Sequence, residues 1–289
     1  MDTDHGRNSD AETMRRSWEA RAQSNPLYAI DANRRAWNID EFYARGLGLV
    51  EKVVDPALRI LSVDPTGLRI LEIGCGMGRL FVGLAARFQE VWGIDISASM
   101  IAQGRQHCQA EATWLIGDGT SLTHVDDGSV DHVLSYEVFE HIPQPAIIRS
   151  YLDESLRVLR PGGTFQAQFR SRSDSGRQAA VRAMPRPLRV ASGVVLRRIG
   201  VMPVLGDIDT WLGCVVPPEN GISMMESTGF IDVGAFDPNF ASFPQKQQIS
   251  YWILGRKPNN LGSRGIEKAA QQAEHRIDDP IAAMERADD

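Results

Sequence analysis

Between residues 69 and 170, short apolar runs alternate with segments of helical length, and this rhythm constrains the fold more than any other feature of the chain. RILEIG (69–74), EVWGID (90–95), TWLIGD (113–118), VDHVLSYE (130–137) and TFQAQFR (164–170) read as strands. GRLFVGLAARF, SASMIAQGRQHC and AIIRSYLDESLRVL read as helices that separate them. Strands joined through helices are crossovers rather than hairpins. They build βαβ units, and so a parallel sheet wound right-handed.

The flanks follow other patterns. Residues 1–13 (MDTDHGRNSDAET) are polar and acidic, and their composition predicts disorder. Residues 14–61 read as helical, with Trp18, Tyr28, Trp37, Phe42 and Tyr43 set among charges, and are expected to cap the domain spanning 62–258. After the fifth strand the rhythm stops. Residues 171–212 are rich in arginine, broken by Pro185, Pro187 and Pro203, and read as an insertion between strands 5 and 6. PPENGISMMESTGF predicts a helix with proline at its start and glycine at its end. IDVGAFD and QISYWILGR then read as two strands with no helix between them, an antiparallel hairpin at the sheet's edge. Residues 259–289 form a tail without a clear apolar stripe.

Composition narrows the function classes. A net charge of −6 argues against a general nucleic-acid binder. Cys75, Cys108 and Cys214 are far apart, which suits a reducing compartment and argues against a thiolate metal site. No clustered Asp, His and Cys set points to a metal. No apolar stretch reaches the roughly 20 residues of a membrane span, and the N-terminus does not read as a signal peptide. The expected location is the cytoplasm.

The first strand breaks into ILEIGCGMGRL, with Gly74, Gly76 and Gly78 spaced two apart. Glycines behind a strand let the backbone approach a ligand, and a following helix N-terminus favours an anionic group. A dinucleotide fingerprint, G-x-G-x-x-G, places its third glycine at position 79, which here is Arg79. The run is instead Glu72-x-Gly74-x-Gly76-x-Gly78. Strand 2 ends in Asp95, a carboxylate able to accept ribose hydroxyls. Strand 3 ends in GDGTSL with Asp118, strand 4 runs into SYEVFEHIP, and RVLRPGG leads into strand 5. Asp118 also suits a plain turn, because Asp-Gly is turn chemistry.

In that order, these motifs resemble the class I S-adenosylmethionine-dependent methyltransferases, most closely the small-molecule branch with the ubiquinone-type enzymes. The resemblance covers about residues 60–170 and extends to the terminal hairpin. It implies an α/β, Rossmann-like, doubly wound sheet of seven strands, order 3-2-1-4-5-7-6 with strand 7 antiparallel, and S-adenosylmethionine as cofactor. By position it implies that Glu72, Gly74, Gly76 and Gly78 surround the methionine part of the cofactor. Asp95 would hold the ribose, Ile96 would pack on the adenine, and Asp118 and Gly119 would face the adenine amine and ring. Glu137 would lie near the methionine amino group or the acceptor. It further implies helices over the cofactor, with Tyr43 or Trp37 as aromatic wall candidates.

His141 follows strand 4 on the side where open α/β sheets bind ligands, and an imidazole there suits a general base or a structural hydrogen bond. Arg170, Arg182 and Arg186 belong to an arginine-rich stretch in an acidic protein. That stretch fits a cap for an anionic acceptor, a contact with anionic lipid, or a solvated face. The expected reaction is methyl transfer to a small molecule of natural-product, lipid or sugar type, to oxygen first and to nitrogen or carbon next. The competing readings are an NAD(P)-dependent oxidoreductase, which lacks both the third glycine and a Tyr-x-x-x-Lys, and a protein that binds the cofactor without turnover. Oligomeric state is not encoded in any of these features.

Overall fold

The structure is a computed structural model that describes residues 3–31, 37–171, 213–244 and 249–259, with side chains from residue 10 onward. β1 (Arg69–Ile73) lies at the middle of the sheet, parallel to β2 (Glu90–Asp95) on one side and β4 (Val130–Ser135) on the other. β3 (Thr113–Ile116) lies outside β2, and β5 (Leu159–Arg170) lies beyond β4. β7 (Ser250–Arg256) is antiparallel to β5, and β6 (Ile231–Phe236) closes the edge antiparallel to β7. The order is therefore β3-β2-β1-β4-β5-β7-β6, as the resemblance implied. Strand order reverses between β1 and β4. In an open α/β sheet, the crevice at the carboxyl ends of such a pair is where ligands bind.

Both faces of the sheet are covered, so neighbouring residues on a strand enter different cores. Leu71, Ile73, Val133 and Phe165 pack on one face with helix α7 (Pro145–Val158) and helix α8 (Pro218–Thr228). Ile70, Leu134 and Trp252 pack on the other with α5 (Phe81–Ala85) and with Trp114 of β3. This two-sided burial explains why the strands read as continuous apolar runs rather than as clean alternation. α8 ends at Gly229, whose φ of 115° makes the left-handed cap that only glycine adopts without strain.

Three sequence expectations differ from the structure. α1 runs Thr3–Ser24, beginning inside the stretch whose composition predicts disorder. Ala11 and Met14, one helical turn apart, are buried in the main core, and Glu12 pairs with Arg15 and Arg16 along the helix. The helix expected over GRLFVGLAARF (78–88) is only the five residues of α5, because Cys75–Leu80 form turns around Gly78. So short a helix supplies little dipole, and its N-terminus is no anion site. β5 begins at Leu159, five residues earlier than read.

The N-terminal segment continues with α2 (Pro26–Ile30), α3 (Ile39–Val53) and α4 (Asp55–Ile60). Residues 172–212, which contain most of the arginine-rich insertion, and residues 260–289 of the tail lie outside the described residues. The insertion's flanks are tied to the sheet: Ser171 N–H donates to Ile249 C=O (2.8 Å) and Val216 N–H to Arg170 C=O (2.8 Å). Among the described residues, no helix is long and apolar enough to cross a membrane.

Candidate active site

A cavity of about 340 Å³ opens at the carboxyl ends of β1, β2 and β4. Glu72, Gly74 and Gly76 line it from β1 and the loop, with Asp95 and Ile96 from the end of β2 and Gly119 from the end of β3. Glu137 and His141 line it from the end of β4, with Tyr136, Val138 and Glu140 beside them. Met14 and Trp18 of α1, and Ile30 and Asp31 at the end of α2, close it from above. Of the thirteen site residues named from sequence, eleven are described, and eight of those line this one space.

The loop's shape comes from Gly74, Gly76 and Gly78, all with positive φ (73°, 55° and 71°). Gly76 N–H donates to Asp95 Oδ2 (2.8 Å), and Ser97 N–H donates to Oδ1 (2.8 Å). Asp95 is therefore fixed by backbone on both oxygens while retaining lone pairs toward the cavity. Burial pushes its pKa upward, and these backbone donors work against that rise. Gly78 does not line the cavity. A Cβ there would lie 2.5 Å from the Trp114 ring, so the third glycine lets the loop pack on β3 rather than approach a ligand. Ile96 covers Gly119, whose Cβ would meet it at 2.5 Å, forming an apolar face at the β2–β3 edge of the cavity.

Glu72 is buried, and its Oε2 has no hydrogen-bond partner. Burial above all pushes its pKa up to about 8; the Arg79 charge opposes the rise and the Asp95 charge adds to it. Arg79, buried in the same wall, also keeps one unpartnered atom, Nε. Buried polar groups are normally satisfied, so an orphan carboxyl oxygen and an orphan guanidinium N–H in one cavity mark groups built for a ligand. S-adenosylmethionine fits these residues. Its amino-acid end carries an ammonium and a carboxylate, the complements of Glu72 and Arg79, and its ribose carries the hydroxyls that Asp95 can accept.

Asp118 and Arg170, like Gly78, do not match the geometry expected of them. Asp118 does not line the cavity; Gly117 and Gly119 on either side of it do. Its carboxylate folds back, accepting from Thr120 N–H (2.7 Å) and Oγ1 (3.1 Å) and from Ser121 N–H (2.8 Å) and Oγ (2.6 Å). Partial burial opposes its charge, yet those four donors hold its pKa below the usual carboxylate range and fill its acceptor sites. Arg170 is buried at the end of β5 and does not line the cavity either. Arg182 and Arg186 lie outside the described residues.

Glu137 sits at φ 57°, in the left-handed region that a side chain enters at a cost of about 1–3 kcal/mol. Its Oε2 accepts from Arg79 Nη2 at 2.6 Å. His141 belongs to the 3-10 turn Phe139–His141, with Glu140 Oε1 3.7 Å from its Nε2. The Trp18 ring meets the imidazole edge-on at 5.4 Å. Tyr43 and Trp37, named from sequence as wall candidates, do not line this cavity. Tyr43 Oη instead donates to Met77 C=O (2.9 Å) and props the glycine loop from behind. Sequence reasoning missed Asp31, Glu140, Tyr136 and the specific role of Trp18. Only Trp18, an aromatic in an otherwise polar helix, carried a local signal.

Residues 70–163 match a family model described as a methyltransferase domain. The chain is 30% identical over 151 residues to a ubiquinone biosynthesis O-methyltransferase of Alkalilimnicola ehrlichii, covering 51% of this chain and 52% of that protein. It is 31% identical over 150 residues to the enzyme of the same name from Acinetobacter baumannii, covering 50% and 54%. It thus spans about half the length of the curated relatives it matches. Among solved structures, magnesium protoporphyrin IX methyltransferase from Synechocystis, with S-adenosylhomocysteine bound, superposes with a TM-score of 0.54 at 16% identity, covering 86% of this chain and 99% of that one. The DhpI–S-adenosylhomocysteine complex gives the same score and identity over 86% and 98%. Those two likenesses concern the fold. Domain match and strand order agree with the motif order: residues 70–163 match a methyltransferase domain, the sheet has the order that the resemblance implied, and the chain is similar over about half its length to the ubiquinone-type O-methyltransferases.

Proposed function

We propose that the protein binds S-adenosylmethionine in this cavity and transfers its methyl group to a hydroxyl of a small-molecule acceptor. The observation that carries the reading is the orphan pair, Glu72 Oε2 and Arg79 Nε, in a cavity that also presents Asp95. The cofactor supplies an electrophilic sulfonium methyl. The residues at the end of β4 supply the rest. Glu137, Glu140 and His141 form a wall of hydrogen-bond acceptors, which suits an acceptor that donates a hydrogen bond. Arg79 is committed to Asp31 and Glu137, so the described wall offers no free guanidinium fork to a carboxylate or phosphate. A hydroxyl acceptor is therefore favoured over the anionic one expected from the arginine-rich stretch. The O–C bond forms as the C–S bond breaks, and the hydroxyl proton passes to an imidazole nitrogen of His141. Alignment of the nucleophile is worth about 7–11 kcal/mol and a general base typically 10²–10⁴-fold, so positioning dominates.

The test is transfer of label from methyl-labelled S-adenosylmethionine to a panel of phenols, catechols, amines and carboxylates. Label on hydroxyl acceptors is expected. Label confined to amines or carboxylates, or no transfer at all, contradicts the reading.

A further inference from the structure

The N-terminal helices meet the glycine loop through a chain of charges centred on the buried pair Arg79 and Asp31. Arg79, 7% exposed at its side chain, donates from Nη1 to Asp31 Oδ2 (3.2 Å) and from Nη2 to Glu137 Oε2 (2.6 Å). Asp31 has a fully buried side chain and pairs with Arg45 of α3 as well. Its backbone is gripped too, with the Asp31 N–H donating to Leu27 C=O (3.0 Å) and Trp37 Nε1 donating to the Asp31 carbonyl (2.7 Å). Ile30, next to it, reaches the loop: a Cβ at Gly76 would lie 3.0 Å from its side chain.

We infer that Asp31 is a positioning residue of the active site, acting through Arg79 to set the guanidinium N–H that meets the carboxylate end of the cofactor. The inference rests on the cofactor reading above. A guanidinium is one rigid plane, so pinning Nη1 on Asp31 and Nη2 on Glu137 also fixes where Nε points. Nε is the atom left without a partner. The Tyr136 ring, 5.3 Å away, backs the same plane. Burying a guanidinium and a carboxylate costs several kcal/mol each unless both are well satisfied, so the pair holds together only when Asp31 is seated. Seating Asp31 brings Ile30 over the loop. The cradle for the cofactor's amino-acid end is thus completed by a residue 48 positions before the arginine it orients.

The experiment titrates the full chain with S-adenosylhomocysteine and with 5′-methylthioadenosine, which lacks the amino-acid end. Wild type, Asp31→Asn, Arg79→Met and the double variant are compared, with thermal melts in parallel. Asp31→Asn is expected to weaken S-adenosylhomocysteine binding about tenfold, the scale of one charge-assisted hydrogen bond, and to leave methylthioadenosine within about twofold. In the Arg79→Met background, Asp31→Asn should cost nothing further. If Arg79→Met does not fold, Arg79→Lys keeps the charge without the planar fork, and Asp31→Asn should cost less than about threefold there. Equal loss for both ligands, or the same tenfold loss with and without Arg79, overturns the inference in favour of a merely structural ion pair. Wild-type binding that Asp31→Asn leaves unchanged overturns this inference alone. No binding of S-adenosylhomocysteine by wild type overturns the cofactor reading and this inference with it.

Discussion

At the ends of β1 and β2, the cavity wall is completed by the backbone of the same unit: Asp95 takes its donors from Gly76, 19 residues earlier, and from Ser97, two residues later. At the end of β4, the wall depends on distant chain. Glu137, in a left-handed backbone conformation, pairs with Arg79, Arg79 pairs with Asp31, and the His141 imidazole abuts Trp18 of α1. The first half is a preformed socket that one βαβ unit specifies. The second is assembled from three parts of the sequence, the N-terminal helices among them. On the proposed reading, ribose recognition at Asp95 is thus the local property, whereas the cofactor's amino-acid end and the acceptor meet the composite wall.

The largest effect that separates the halves is expected at His141. His141→Ala should lower turnover by about 10²–10⁴ while S-adenosylhomocysteine affinity stays within about twofold. Wild-type turnover in steady-state assays would remove His141 from the chemistry. Asp95→Ala should do the reverse, weakening S-adenosylhomocysteine binding at least about tenfold by calorimetry, the scale of losing charge-assisted hydrogen bonds. Unchanged affinity would break the ribose assignment.

Glu72 sharpens the contrast through pH. With its pKa at about 8, it holds a proton at neutral pH in the free protein, and a ligand ammonium beside it favours the ionised form. Binding then releases a proton, so affinity should rise as pH increases from about 6 towards 8, by up to about tenfold per unit. In the free protein a raised carboxyl pKa works the other way: the stability it contributes at low pH is lost as pH rises through that value. A flat affinity profile in matched buffers would contradict the ammonium contact. The smallest effect belongs to Asp118. Asp118→Ala should change cofactor affinity by less than about threefold and cost about 1 kcal/mol of stability, because its hydrogen bonds serve its own turn. A tenfold loss of affinity would restore it to the adenine site.

What was legible in the sequence follows the same division. Strand order follows what the motif order implied, and Gly74, Gly76, Asp95 and Ile96, which line the cavity, lie in segments where periodicity and turn chemistry act over a few residues. Asp118 misled because GDGTSL places two hydroxyl residues just after the carboxylate, and local donors satisfied it first. Gly78 misled in another way, since the ring its missing Cβ avoids is Trp114, two helices and a strand away. Asp31 left no signal at all. An aspartate after a five-residue helix is ordinary until the fold brings Arg79 to it. The composition of residues 1–13 predicts disorder because it counts charges, whereas α1 begins at Thr3 and buries Ala11, with Met14 beyond it, in the main core.

The most direct measurement is calorimetric titration of the intact protein with S-adenosylhomocysteine, with NADH run alongside under the same conditions. The account predicts micromolar binding of S-adenosylhomocysteine with proton release near neutral pH, and no heat from NADH. Binding of NADH in place of S-adenosylhomocysteine would mean that the loop around Gly76 holds a pyrophosphate, and the cofactor, the roles of Glu72 and Arg79, and the methyl-transfer reaction would fall together.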